Sequence, residues 1–178
     1  GVQTCALPIC AHDTDLVLPA LGGDLLPFQR AGVAYAIQAR RCFIADEMGL
    51  GKTAQALATL EATGCYPAIV VCPATLVLNW ANEARRWVPG RSVQVITDRK
   101  ADQIDSPADI TVVGWSNLSY WVSYFPFAAA AVFDESHYAK NPTAQRTKAA
   151  VTLARTVPAD GVVLCLTGTP ITNRPAEL

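Results

Sequence analysis

The segment DEMGLGKT at residues 46–53 constrains the fold of this chain more than any other feature of its sequence. It follows the short apolar run CFIA and leads into KTAQALATLEATG, which has the pattern of a helix closed by Gly64. A strand, a glycine-rich turn and a helix in this order form the structural context in which backbone N–H groups and a lysine surround a phosphate. We therefore predict a phosphate-binding loop.

The first position of this loop is unusual, because Asp46 stands where the pattern G-x-x-x-x-G-K-[ST] begins with glycine. That position only has to leave the strand and turn, and aspartate tolerates such backbone angles. We expect Lys52 to reach the β- and γ-phosphates and Thr53 to offer its hydroxyl to Mg²⁺ at the start of the helix. The predicted nucleotide-binding residues of the loop are Asp46, Gly49, Leu50, Gly51, Lys52 and Thr53.

A second group of candidate residues lies in AVFDESH at residues 131–137, where an apolar run ends in two carboxylates. Asp134 at the tip of a strand is suited to bind Mg²⁺, and Glu135 is suited to orient and deprotonate an attacking water molecule. The alternative is that the pair is an acidic cap on a following helix. Together with Lys52, the pair favours nucleotide hydrolysis.

The order of the remaining segments predicts an α/β fold. Apolar strand-like runs alternate with helical patterns such as LLPFQRAGVAYAIQAR, ATLVLNWANEARRW and TAQRTKAAVTLA. This alternation is typical of a mainly parallel sheet with helices on both faces. The first helix is predicted because Phe28, Ala31, Val33, Ala34 and Ile37 stand at mostly helical spacing behind Pro27, a favourable first-turn residue.

Composition excludes some functions and leaves others open. The 178 residues carry a formal net charge of −1, so any role in nucleic-acid binding has to be argued from motifs and not from bulk charge. The six cysteines contain no C-x-x-C pair, which favours buried thiols in a reducing compartment over disulfides or a zinc site. No apolar stretch is long enough to predict a membrane span, so we expect no membrane partner.

The two ends of the chain suggest a piece of a longer reading frame. Residues 1–9, GVQTCALPI, match the translation of a widely used DNA-sequencing adapter, and we expect them to be an artefact. Residues 10–24 form a lead segment, and residues 25–178 form the predicted domain, which stops at NRPAEL without a terminal signature.

Five segments in order resemble the motifs of a known family. LLPFQRAGVAYA, DEMGLGKT, IVVCPATLVLNWANEARRW, FDESHYAKN and LTGTP are similar to motifs Q, I, Ia, II and III of the Swi/Snf-type ATPases, the double-stranded-DNA translocase branch of helicase superfamily 2. The motif II segment is a DEAH-like box. The ending TPITNRPAEL and the segments LPFQRAG and DESHYAKN look most like the annealing-helicase (HARP-like) division and its bacterial relatives.

This resemblance implies a RecA-like lobe, the first of two, with the second lobe absent from the chain. It implies ATP and Mg²⁺ as cofactors and double-stranded DNA as partner. Because the second lobe of these ATPases supplies arginines that stabilise the transferring phosphoryl group, the chain by itself is expected to be inactive.

The resemblance also assigns roles to individual residues. It places Gln29 on the adenine, and Lys52, Asp134 and Glu135 in catalysis. The residues expected to couple the nucleotide state to movement of the second lobe are His137, Thr167, Gly168 and Thr169. The candidate DNA contacts are Pro73, Thr75, Asn79, Trp115 and Ser116. Three tryptophans lie in or near these segments, and for each of them the alternative to a functional contact is ordinary packing of a helix: Trp80, Trp87 and Trp115.

Two other functions stay open at this point. A strand-unwinding superfamily 2 helicase would use the same ATP site, although LTGTP differs from the Ser-Ala-Thr typical of RNA helicases. A nucleotide-dependent binding switch would need no translocation, but the intact Lys52, Asp134 and Glu135 favour hydrolysis. The expected location is the nucleus of a eukaryotic cell or the cytoplasm of a bacterium, in association with the nucleoid.

Overall fold

A computed structural model describes residues 3–5, 18, 21–99 and 107–168 of the chain. Within them the helices are α1 (Pro27–Ala39), α2 (Lys52–Thr63), α3 (Val77–Trp87), α4 (Leu118–Trp121) and α5 (Gln145–Thr156). The strands are β1 (Gln3–Cys5), β2 (Arg41–Ile44), β3 (Ala68–Cys72), β4 (Val93–Ile96), β5 (Ile110–Gly114), β6 (Ala130–Phe133) and β7 (Val162–Leu166). Short 3₁₀ turns cover Ala74–Leu76, Val122–Tyr124 and Ser136–Ala139.

The strands of the described residues form one parallel sheet in the order β1-β2-β7-β6-β3-β5-β4. All carboxyl ends therefore meet at one edge, where ligands bind in open α/β sheets. The phosphate loop follows β2, Asp134 follows β6, and Thr167 follows β7. The sheet order thus brings together groups that are more than 80 residues apart in the chain.

Helices cover both faces of the sheet, as predicted. Strand β3 shows the division: Ala68, Val70 and Cys72 pack with α2 and α3, whereas Ile69 and Val71 pack with α4 and α5. Every residue of β3 is buried, which is expected for a central strand of a doubly covered parallel sheet. The predicted α/β fold, a parallel sheet with helices on both faces, is therefore confirmed.

The predicted strands and the four predicted helices are all present, with three differences. The helix predicted from the apolar spacing is present as α1, but its buried face consists of Gln29, Ala31, Gly32, Val33 and Ala36, whereas Phe28, Ala34 and Ile37 are only half-buried. The reason is that α1 packs against α2, and small side chains in the contact let the two helices approach closely. The short α4 had no separate prediction.

The third difference concerns the amino-terminal segment. Gln3–Cys5 pairs with β2 as an edge strand, although we left residues 1–9 out of the fold prediction. Strand pairing uses backbone groups, which every non-proline residue carries, so it does not test the origin of this segment. The adapter interpretation stays a prediction.

Four cysteines of the described part of the chain form no disulfide. Cys42, Cys65 and Cys72 are buried, and Cys165 is half-buried. Burial raises the pKa of the Cys72 thiol to about 12, which keeps it protonated at neutral pH. None of the helices described here is long and apolar enough to cross a membrane.

A cluster of three side chains stabilises the edge of the sheet opposite the phosphate loop. The Arg91 guanidinium donates two hydrogen bonds to the Glu61 carboxylate, at 2.8 and 3.0 Å, and lies 4.3 Å from the centre of the Tyr66 ring. The Tyr66 hydroxyl donates to the same carboxylate at 2.8 Å. The Arg91 hydrogen bond is the main reason why the pKa of Glu61 lies below its usual value.

We expect Glu61→Gln to lower the free energy of unfolding of this domain at pH 7 by about 1 kcal/mol, because Arg91 is partly exposed and the ion pair is screened. A carboxylate with a lowered folded pKa stabilises the fold above its unfolded pKa, which is about 4.3, and loses that contribution as pH falls further. The difference between variant and wild type should therefore shrink below pH 4.5 in urea unfolding of the intact protein. Asp98→Asn, at an exposed acid, is the matched control, and a difference that does not change with pH would contradict the assignment.

Candidate active site

The phosphate loop has the backbone that its glycines predict. Gly49 and Gly51 adopt φ angles of 84° and 76°, in the left-handed region that glycine enters without strain. A Cβ on Gly51 would also lie 2.5 Å from Gln29 Nε2, so a substitution would both strain the backbone and displace the Gln29 amide. The Lys52 ammonium donates to the backbone oxygens of Asp46 and Glu47 at 2.8 and 2.9 Å, inside the loop.

The structure also explains how an aspartate replaces the first glycine. The Asp46 carboxylate accepts a hydrogen bond of 2.7 Å from Gln55 Nε2, on the first turn of α2. Gln55 is fully buried, and its Oε1 has no hydrogen-bond partner among the described residues. Asp46 is thus tied to the helix that follows the loop, and its predicted part in nucleotide binding stays a prediction.

The carboxylate of Asp134 is held from two sides. Trp80 Nε1 donates to Asp134 Oδ2 at 2.7 Å, and the backbone N–H of Glu135 donates to Asp134 Oδ1 at 2.9 Å. Only 9% of Asp134 is exposed. Burial raises the pKa of Asp134, and the Trp80 hydrogen bond and Lys52 act in the opposite direction.

Glu135 has a backbone conformation that is rare for a residue with a side chain. Its φ and ψ are 49° and 53°, in the left-handed helical region. The peptide that joins it to Asp134 is fixed on both sides, because Trp115 Nε1 donates to the Asp134 backbone oxygen at 2.9 Å while the Glu135 N–H is bonded to Asp134 Oδ1. Holding a residue in such a conformation costs of order 1–3 kcal/mol of folding free energy, and residues of this kind cluster at functional sites.

One cavity of about 360 Å³ brings the candidate residues together. Its lining includes Gln29, Met48, Gly49, Gly51, Lys52, Thr53, Ala54, Asn79, Glu83, Arg86, Trp87, Asp134 and Glu135. The phosphate loop and the carboxylate pair therefore face the same space. Its size falls within the range of ligand pockets.

Gln29 lies at this cavity with both ends of its amide in use. Gln29 Oε1 accepts from the Leu26 backbone N–H at 2.8 Å, and Gln29 Nε2 donates to the Leu50 backbone oxygen at 3.0 Å. Gln29 therefore connects the start of α1 to the phosphate loop. Its predicted contact with adenine stays a prediction, since that contact would have to share or exchange these bonds.

The oxygen donors of the site suit Mg²⁺. The Thr53 hydroxyl and the Asp134 carboxylate are hard ligands, and each carboxylate oxygen keeps a second lone pair beyond the hydrogen bond described above. No group of three or more His, Cys, Asp or Glu side chains that could hold a metal occurs in the part of the chain that the structure describes. Mg²⁺ does not need such a cage, because it commonly binds through one or two carboxylates, water and substrate phosphates.

The residues expected to couple the site to movement are close to the phosphate loop. Thr167 is buried, and its backbone N–H donates to the Ile44 oxygen at 3.2 Å. A Cβ on Gly168 would lie 2.7 Å from Met48 Cγ and 3.7 Å from Lys52 Nζ, so Gly168 packs directly on the loop. Thr169 lies outside the described residues.

His137 is near the carboxylate pair but not bonded to it. Its Nδ1 lies 3.2 Å from Glu135 Oε2, without the alignment of a hydrogen bond. The side chain as a whole is 39% exposed, but its Nδ1 is buried, and His137 is not among the residues that line the cavity. Its predicted role in coupling stays a prediction.

The candidate DNA contacts separate into two groups. Thr75 and Ser116 are exposed and Pro73 is half-buried, and they follow the neighbouring strands β3 and β5. Asn79 is also exposed, but it lines the cavity together with Lys52. Trp115 is only 3% exposed. Its ring stacks on Phe133 and Tyr138, so packing, the alternative raised for this residue, describes it better than a DNA contact.

The sequence analysis did not predict the contacts that three residues make in or beside the site. It treated Trp80 as a packing residue and gave no role to Gln55 or Met48. A signal existed for Trp80, because a tryptophan on the apolar face of a helix needs an acceptor for its N–H group. The sequence does not say which acceptor, since Asp134 is 54 residues away.

The geometry agrees with comparisons to known proteins. The family model of the SNF2-related domain matches residues 28–178. The chain belongs to this family. The chain is 36% identical over 172 residues to the SWI/SNF-related matrix-associated actin-dependent regulator of chromatin subfamily A-like protein 1 of Xenopus tropicalis, covering 93% of this chain and 18% of that protein. It is 33% identical over 175 residues to the human DNA annealing helicase and endonuclease ZRANB3, covering 92% of this chain and 16% of that protein.

A solved structure of this SNF2 family has the same fold. The Sulfolobus solfataricus SWI2/SNF2 ATPase core in complex with dsDNA matches with a TM-score of 0.76 and 26% identity, over 92% of this SNF2 chain and 36% of that one. The resemblance to Swi/Snf-type ATPases, including the annealing-helicase division, is thereby confirmed. The chain spans less than a fifth of the length of these two curated relatives.

Proposed function

We propose that this SNF2-related domain is the ATP-binding lobe of a DNA-dependent ATPase that moves along double-stranded DNA. The observation that carries the proposal is that Lys52, Asp134 and Glu135 line one cavity at the carboxyl edge of the sheet. These are the groups that a nucleoside triphosphatase requires: a cation for the phosphates, a carboxylate for the metal ion and a second carboxylate for water.

Each residue of the site has a defined task in this proposal. Lys52 leaves the carbonyls of Asp46 and Glu47 and binds the β- and γ-phosphates, while the loop N–H groups bind the remaining phosphate oxygens. Thr53 and Asp134 would hold Mg²⁺, which neutralises the charge that develops on the phosphate oxygens. Glu135, fixed in its left-handed conformation, orients the attacking water and accepts its proton.

The partners follow from the family and from the shape of the site. We propose that a second RecA-like lobe of the full protein closes this cavity and supplies arginines that stabilise the transferring phosphoryl group. The structural match that is bound to dsDNA supports duplex DNA as the partner of the intact protein. A duplex-DNA motor works where the DNA is, in the nucleus of a eukaryote or with the nucleoid of a bacterium.

Polynucleotide specificity tests this proposal. We expect ATP turnover by the intact protein to be stimulated more by duplex DNA than by duplex or single-stranded RNA of equal length, at matched moderate salt. The salt concentration must be fixed because phosphate contacts are strongly salt-dependent. The measurement is steady-state ATPase activity with Mg²⁺, and with excess EDTA as the control.

Each outcome separates the proposal from its alternatives. Equal stimulation by RNA would contradict the duplex-DNA assignment. Strand separation on a forked duplex, without movement on an intact duplex, would favour the strand-unwinding helicase. Nucleotide binding without turnover in the presence of DNA would favour the binding switch.

A further inference from the structure

The hydrogen bond between Trp80 and Asp134 links helix α3 to the end of strand β6, which lies 54 residues further along the chain. Trp80 lies on α3, is 1% exposed, and directs its indole N–H at Asp134 Oδ2 over 2.7 Å. Asp134 stands directly after β6, and the packing of α3 on the sheet places the two side chains together. A hydrogen bond from a neutral donor to a carboxylate is about twice as strong as one between neutral groups.

The bond acts on a carboxylate that is almost fully buried. Only 9% of Asp134 is exposed, so its oxygens have little access to water, and the indole N–H supplies one of the hydrogen bonds that a buried carboxylate requires. The bond also occupies one lone pair of Oδ2 and fixes the plane of the carboxylate. Packing alone does not require this arrangement, because a phenylalanine could fill much of the same space.

We propose that Trp80 is a positioning residue that orients the Asp134 carboxylate for Mg²⁺. This inference rests on the proposed function, in which Asp134 is a magnesium ligand. Trp115 acts on the other side of the same residue, through the Asp134 backbone oxygen, so two indoles fix both the side chain and the peptide. Groups that orient a metal ligand typically change metal affinity by about 10- to 100-fold when they are removed.

The test is Trp80→Phe in the intact protein, which keeps an aromatic ring and removes the N–H donor. A second variant replaces Trp80 by 3-benzothienyl-alanine, which keeps both fused rings and has sulfur in place of N–H, so the fold is preserved even if phenylalanine packs poorly. Mg²⁺ affinity is measured by calorimetry in the presence of a non-hydrolysable ATP analogue. Turnover is measured separately over a range of Mg²⁺ concentrations.

The matched control is Trp121→Phe. Trp121 is also a buried tryptophan, and its Nε1 donates to the Asp98 backbone oxygen at 2.9 Å, away from the cavity. Both substitutions remove one indole hydrogen bond from the interior. A loss of stability common to the two variants therefore identifies the structural part of the effect.

We expect both Trp80 variants to weaken Mg²⁺ binding about tenfold, with turnover at saturating Mg²⁺ close to that of the wild type. Trp121→Phe should leave Mg²⁺ affinity unchanged. Unchanged affinity in the folded Trp80 variants, or an equal loss in Trp121→Phe, would overturn this inference alone. Failure of the wild type to bind Mg²⁺ with the analogue would overturn the proposed function and this inference with it.

Discussion

Lys52→Ala is expected to abolish ATP turnover by the intact protein, with a loss of at least about 10²-fold, which is typical when a preorganised charge is removed from a transition state. Lys52 is the cation at the centre of the phosphate loop, where its ammonium now donates to the carbonyls of Asp46 and Glu47. Alanine has no group that can reach the β- and γ-phosphates. The measurement is steady-state turnover with saturating Mg²⁺ and duplex DNA.

The control for this substitution is Lys148→Ala, which removes an exposed lysine from α5 on the other side of the sheet. It should leave turnover unchanged, since α5 packs on the face opposite α2. A Lys52→Ala protein that folds and keeps more than about a tenth of the wild-type turnover would refute the assignment of Lys52, because electrostatic contributions of this kind are larger.

Glu135→Gln is expected to stop hydrolysis while preserving nucleotide binding. Glutamine keeps the shape of the side chain but cannot accept the proton of the attacking water, and general-base catalysis typically contributes 10²- to 10⁴-fold, so we expect a loss of about that size. The backbone of residue 135 should keep its position, because Trp115 and Asp134 hold the preceding peptide. Turnover and the affinity for an ATP analogue are measured on the same preparation.

Glu61→Gln is the matched control, since it makes the same chemical change at the opposite edge of the sheet. It should lower stability slightly and leave turnover unchanged at a temperature where both proteins are folded. If Glu135→Gln loses nucleotide affinity together with turnover, Glu135 has a structural role in the site and not the role of a base.

The sequence by itself determined the fold class, the position of the phosphate loop and the identity of the carboxylate pair. These features are local, because each depends on a short stretch of residues. They are the glycines with positive φ, the lysine at the start of a helix, and the apolar runs of strand length. That the loop and Asp134–Glu135 meet at one edge follows from the order and the parallel direction of the strands, which the structure shows. The family assignment followed from the same short segments.

Only the tertiary structure decided what surrounds those residues. The partner of Asp46 is Gln55, the partner of Asp134 is Trp80, and the face of α1 that packs inward includes Gln29. Trp115, a candidate for DNA binding from its motif, is buried against Phe133 and Tyr138 instead. These contacts depend on how the helices pack on the sheet. A buried donor bonds to whichever acceptor the fold places within reach, and the local sequence does not specify that acceptor.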